Sequence, residues 1–121
     1  MKLYGVRIFV DDFPAARVFY GQTLGLPENW AMEEAKAAGF GVETAELIVE
    51  EADPGGVDGG YVGRFVGISL QVDDIDSVYK TLSDKGVPFD APPEKQFWGG
   101  TLAHFKDPAG NTLTLVSQTD A

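Results

Sequence analysis

The sequence has no cysteine and a single histidine, His104. Disulfides, thiolate metal sites and a cysteine nucleophile are therefore excluded, and one chain cannot assemble a cluster of imidazoles. Basic residues are also scarce. Nine Lys and Arg stand against 19 Asp and Glu, for a formal net charge of -10. That sign repels nucleic acid and anionic membrane surfaces and suits a cationic ligand. No apolar run reaches the roughly 20 residues needed to span a bilayer. Met1 and Lys2 lead into a strand pattern rather than the apolar core of a signal peptide. The expectation is a cytoplasmic protein with no nucleic-acid or membrane partner.

What is present is a repeated plan. The run Val10-Asp11-Asp12-Phe13 recurs as Val72-Asp73-Asp74-Ile75. Ahead of each copy lies an alternating segment. Val6, Ile8 and Val10 alternate with Gly5, Arg7 and Phe9, and Ile68, Leu70 and Val72 alternate with Gly67, Ser69 and Gln71. A period of two puts each set on its own face of a strand. Asp12 and Asp74 stand where helix N-caps belong, and Pro14 suits a first turn. Phe13, Ala16, Phe19, Tyr20 and Leu24 form one helical stripe, and Ile75, Val78, Tyr79 and Leu82 the other. Gly25 and Gly86 suit left-handed C-terminal caps.

Strands are expected near Trp30–Glu33, Phe40–Val42 and Glu46–Glu50 in the first half. In the second they are expected near Phe89, Leu102–Lys106 and Thr112–Ser117. Asp107-Pro108-Ala109-Gly110-Asn111 reads as a turn, and the glycine-rich stretch from Asp53 to Gly63 as a linker. The fold class is α+β: a single domain, residues 1–121, of two βαβββ modules (1–58 and 64–118). Helices lie outside a cupped mixed β-sheet.

The marks Val10-Asp11-Asp12-Phe13 with Phe19-Tyr20, Leu24-Gly25-Leu26, Trp98-Gly99-Gly100 and Phe105-Lys106-Asp107-Pro108-Ala109-Gly110-Asn111 span nearly the whole chain. They resemble the glyoxalase / bleomycin-resistance / dioxygenase superfamily, also called vicinal oxygen chelate proteins. The resemblance implies that both halves shape one cavity, often completed in a homodimer. It also implies that metal-using members place ligands on the first and last strands of each half. Counted back from Asp12 and Asp74, the first-strand positions fall on Gly5 and Gly67, which carry no donor. The last-strand position of the second half falls on Thr114, a neutral hydroxyl. Glu46 is the one candidate ligand left. These departures put glyoxalase, epimerase and ring-cleaving dioxygenase activity in doubt. They fit members that bind compounds without metal, such as bleomycin-sequestering proteins.

Residues expected to line the pocket are Arg7, Phe9, Glu46, Ser69, Gln71, Trp98, His104 and Thr114. Arg7 either grips an anionic group of a ligand or pairs internally with Glu46. Phe9 gives an aromatic wall, or ordinary packing. Trp98 and Phe97 precede the Gly99-Gly100 bend and suit stacking on a planar or cationic ligand, with Trp30 and Met32 as their counterparts in the first half. Glu46 and His104 are the candidates for acid–base work, against a structural role for a lone histidine. The acidic stretch Glu43, Glu46, Glu50, Glu51, Asp53 and Asp58 either draws a cation or covers a solvated edge. Three functions follow. One is a metal-independent binder of a small aromatic or cationic compound. Another is a lyase, isomerase or dioxygenase with a divalent metal on non-standard ligands, or a metal-free catalyst. The third is a small-ligand sensor.

Overall fold

The computed structural model of the chain describes residues 1–118. Its elements run β1 (Val6–Val10), α1 (Phe13–Val18), β2 (Glu28–Met32), β3 (Ala37–Val42), β4 (Ala45–Glu51), β5 (Phe65–Gln71), α2 (Ile75–Asp84), β6 (Glu94–Lys95), β7 (Thr101–Lys106) and β8 (Thr112–Ser117). The βαβββ plan thus occurs twice, in an α+β chain with two four-stranded mixed sheets. Two compact units result: Met1–Arg64 with Pro108–Asn111, and Phe65–Asp107 with Thr112 onward. Among the described residues no helix is long and apolar enough to cross a membrane.

In the first unit the strand order is β1-β4-β3-β2, with β1 parallel to β4 and the other pairs antiparallel. Ile8, Val10, Leu47, Val49, Ala38 and Phe40 are buried, as are Phe13 and Ala16 of α1. This apolar face is the one the period-two pattern assigned to the helix. Asp12 caps α1, its Oδ1 accepting the Ala15 N–H at 3.1 Å. The stripe from Phe13 to Leu24 is not one regular helix. After Val18 the chain widens into a π-helical turn over Phe19–Thr23. It is there that two consecutive aromatics, Phe19 and Tyr20, are both buried. The helical segment ends at Gly25, whose φ of 76° is the left-handed conformation that glycine tolerates.

Two strands begin earlier than the sequence suggested. β2 starts at Glu28, directly after Pro27, whose carbonyl accepts the Gly41 N–H at 2.8 Å. β3 starts at Ala37, because left-handed Lys36 (φ 52°) closes a 3-10 turn over Glu33–Ala35 and returns the chain.

In the second unit the order is β5-β8-β7-β6, with β5 parallel to β8. Asp74 caps α2 through the Ser77 N–H at 3.1 Å. Ile75 and Leu82 of α2 are buried, as are Ala103, Phe105, Leu113 and Leu115 of β7 and β8. Phe89 rings with Tyr79 at 4.8 Å and with Phe105 at 5.6 Å. The strand expected at Phe89 shrinks to one bridge with Phe105, and the edge strand forms at Glu94–Lys95 instead. Pro92 and Pro93 lie between, and without N–H groups they cannot carry a ladder.

Candidate functional site

The parallel register of β1 on β4 sets the face of the first sheet turned away from Val10 and Val49. One row across the strands runs Arg7, Ile48, Gly39, Trp30, and the next runs Phe9, Glu50, Ala37, Met32. Beside the first row, Gly41 pairs with Glu46. Arg7, Phe9 and Glu46 therefore share one face, as the alternation indicated, together with Trp30.

Glu46 is the fixed point of this face. Its Oε1 accepts the Trp30 Nε1–H at 2.9 Å, and its Oε2 accepts the Asn29 amide at 2.9 Å. These bonds, that of Asn29 first and then that of Trp30, hold its carboxyl below the usual glutamate value. Two glycines make the arrangement possible. A Cβ on Gly39 would stand 2.1 Å from Trp30 Nε1 and 2.7 Å from Glu46 Oε1, and one on Gly41 would stand 3.1 Å from Asn29 Nδ2. The indole and the amide occupy space that any other residue would fill. Glycine inside a strand signals such close approach, and Gly39-x-Gly41 was the sequence signal that could have revealed it.

Arg7 does not pair with Glu46. It bonds Glu50 through both Nε and Nη2, the latter at 3.0 Å. The two glutamates flank Ile48, the register partner of Arg7, from opposite sides along β4. The Glu46 carboxylate is already taken by donors from the β2 side, so the guanidinium turns to the other. Glu50 raises the Arg7 pKa, first through that hydrogen bond and then through its charge. The Arg7 guanidinium also lies 5.2 Å from the centre of the Phe9 ring. The ring of Tyr61, from the 3-10 turn over Val57–Tyr61, lies tilted against the Phe9 ring, 5.4 Å between centres. Phe9 is thus buried under Tyr61 and Arg7 rather than forming an open wall.

Asn111, in the turn that closes this unit, is fully buried. Its Oδ1 accepts the N–H groups of Gly63 and Arg64 at 2.9 and 3.1 Å, and its Nδ2 donates to the Phe9 carbonyl at 2.8 Å. The motif asparagine is a staple between linker and first strand.

In the second unit, Ser69, Thr114 and His104 are register partners across β5, β8 and β7, and Gln71 follows on the same face. His104 Nδ1 lies 2.9 Å from Thr114 Oγ1. Lys106 Nζ donates to Thr112 Oγ1 at 2.8 Å on the same face. Ser69 and Gln71 are exposed. Gly67 has φ 80° within an irregularity between Phe65 and Ser69. Trp98 repeats the pattern seen at Trp30: a Cβ on Gly100 would meet its ring at 2.0 Å, and half of the side chain remains exposed. Phe97 beside it is fully exposed.

A separate groove of about 830 Å³ lies on the helix side of the first unit, lined by Phe13, Arg17, Leu26, Glu28, Lys36 and Glu51 among others. Its charges are mutually satisfied. Arg17 grips both oxygens of Glu28, at 2.7 and 2.8 Å, and Lys36 pairs with Glu51 at 3.1 Å. None of the residues expected to line the pocket borders it, and Glu51 of the acidic stretch enters it only as the partner of Lys36.

The positions where the resemblance implied metal ligands carry few side-chain donors. Gly5 offers no side-chain donor, and a Cβ there would lie 2.8 Å from the Glu46 carbonyl oxygen. Gly67 is also bare, and the Thr114 hydroxyl is engaged with His104. Among the described residues no group of three or more His, Asp or Glu side chains is arranged to hold a metal ion. This donor set does not fit a divalent-metal site.

Comparison with known proteins agrees with the fold. The model of the Glyoxalase/Bleomycin resistance protein/Dioxygenase superfamily matches residues 3–115. YraH of Bacillus subtilis (strain 168) is 31% identical over 125 residues, covering 95% of this chain and 97% of that one. A crystal structure of a superfamily member from Sphaerobacter thermophilus is 33% identical, with a TM-score of 0.80 and 97% of both chains covered. TnmS3, an antibiotic binding protein from Streptomyces sp. CB03234, has a TM-score of 0.79 at 24% identity, with 98% and 97% covered. At that identity the likeness is one of fold.

Proposed function

Because the chain belongs to the glyoxalase/bleomycin resistance protein/dioxygenase superfamily, we propose that it binds a small aromatic or cationic compound without a metal ion, as a sequestering protein does. The observation that carries this reading is the Glu46 cluster. The one carboxylate left at an expected ligand position is committed to Trp30 and Asn29, and the neighbouring position is the bare Gly5. What this face offers a ligand is an indole, beside a carboxylate engaged by Trp30 and Asn29 and a guanidinium paired with Glu50. Such a set orients organic molecules by stacking and hydrogen bonding. The excess of acidic residues favours a cationic group on the ligand. A fold neighbour, TnmS3, is an antibiotic binding protein, which supports this reading. Homodimerisation and a cytoplasmic location belong to the same reading.

The test is elemental analysis of the purified protein after incubation with zinc, iron, manganese and nickel. The reading expects metal well below one equivalent per chain. One tightly held equivalent that disappears in Glu46→Ala overturns it, and favours a metal-dependent lyase, isomerase or dioxygenase with Glu46 as ligand.

A further inference from the structure

Glu46 has both carboxylate oxygens engaged by neutral donors from one strand, β2. A charged group held in this way sets the direction of whatever donates to it. The indole of Trp30 is that donor, and it can lie where it does only because Gly39 beneath it has no side chain. Trp30 is half-buried, so one part of the ring is seated on the strand and the rest faces solvent. An exposed tryptophan without such restraint samples several rotamers and loses that freedom on binding. Here one orientation is selected by the hydrogen bond to Glu46 and the seat on Gly39.

We propose that Glu46 is a positioning residue: its carboxylate locks Trp30 on Gly39 as a rigid shelf for a planar aromatic ring. The shelf rests on the reading of this face as a small-molecule site, whereas the lock does not. Glu46 thereby has a task that needs its hydrogen-bond geometry rather than metal coordination. A glutamine keeps an oxygen for the indole N–H, and the Asn29 amide can turn to present its own oxygen to the new NH2 group. An alanine keeps neither bond.

The experiment uses the full chain in three forms, native, Glu46→Gln and Glu46→Ala, with two readouts. The first needs no ligand. In a Trp98→Phe background Trp30 is the only tryptophan. Its near-ultraviolet circular dichroism and its quenching by iodide then report its order and shielding. The proposal expects Glu46→Gln to keep both, and Glu46→Ala to lose the dichroism band and approach the quenching of free indole. The second readout is binding of acridone, a neutral planar aromatic, with Trp98 intact. Glu46→Ala weakens it roughly tenfold, the size of a lost stacking contact, and Glu46→Gln leaves it nearly unchanged. Should Glu46→Ala fail to fold, Trp30 in Glu46→Gln still decides the matter. Free mobility there means the charge, not the hydrogen bond, held the ring, and the proposal falls. An unchanged Trp30 in Glu46→Ala overturns it as well. A Glu46-dependent Trp30 with no acridone binding in any form overturns the shelf, while the lock stands and the small-molecule reading is left to its own test.

Discussion

The indole N–H of Trp30 and the carboxylate of Glu46 meet at 2.9 Å above the bare backbone of Gly39. Three residues on three neighbouring strands thus depend on one another, and the glycine is the member least able to change. Gly39→Ala would put a Cβ within 2.1 Å of the indole nitrogen and 2.6 Å of Cε2. Either the ring leaves its seat or the strand moves. The expected cost is about 1–3 kcal/mol, as for other overpacked sites. The Trp30 emission should shift to the red, since the ring leaves for solvent. Urea denaturation and fluorescence of the same variant check both.

Asn111 offers a second test, independent of the site. It ties Gly63, Arg64 and Phe9 together from a fully buried position. Asn111→Ala removes three hydrogen bonds and leaves backbone groups without partners. A loss of about 2–4 kcal/mol in chemical denaturation is expected.

The pH dependence of stability follows from three glutamates. Arg17 holds Glu28 below the ordinary carboxyl value of 4.5. Asn29 and Trp30 do the same for Glu46, and the Phe13 N–H followed by Lys36 for Glu51. In each case the unfolded chain takes up protons at a higher pH than the folded chain. Their contribution is therefore fully present above the unfolded value and is lost as pH falls through the lower folded values. Melting temperature should be flat on the neutral side of 4.5 and drop on the acid side. Glu51→Gln should make that drop shallower, which thermal melts across an acid series would reveal.

Arg17 clamps Glu28 with two hydrogen bonds and reaches Glu33 at 3.1 Å, with about a third of its side chain exposed. Partial exposure limits what this network contributes. Arg17→Met should lower stability slightly at low salt, and added salt should narrow the difference from the native chain. Paired denaturation curves at low and high ionic strength test this.

Much of the fold was legible in the sequence because its signals are local. Asp12 and Asp74 cap helices as their spacing indicated, and Gly25 and Gly86 take the left-handed conformation expected of them. Period-two alternation placed Arg7, Phe9 and Glu46 on one face and Ser69, Gln71, His104 and Thr114 on one face. Alternation assigns a face but says nothing of which neighbour along it a side chain leans toward. The Arg7 partner was therefore read as Glu46 when it is Glu50, two residues on the other side of Ile48. Nor does alternation show cover from a distant loop, so Tyr61 over Phe9 had no signal in β1 itself. The seats of Trp30 and Trp98 on Gly39 and Gly100 did have one, in the glycines, but a glycine does not name what lies on it.

The central claim is that ligand binding needs no metal. Its most direct test is calorimetric titration of proflavine, a planar aromatic cation, into chelator-stripped protein at physiological salt, repeated after zinc or manganese is restored. The account predicts one saturable site per chain with the same affinity in both titrations. Binding that appears only after the metal is restored, or no saturable binding in either titration, would contradict it.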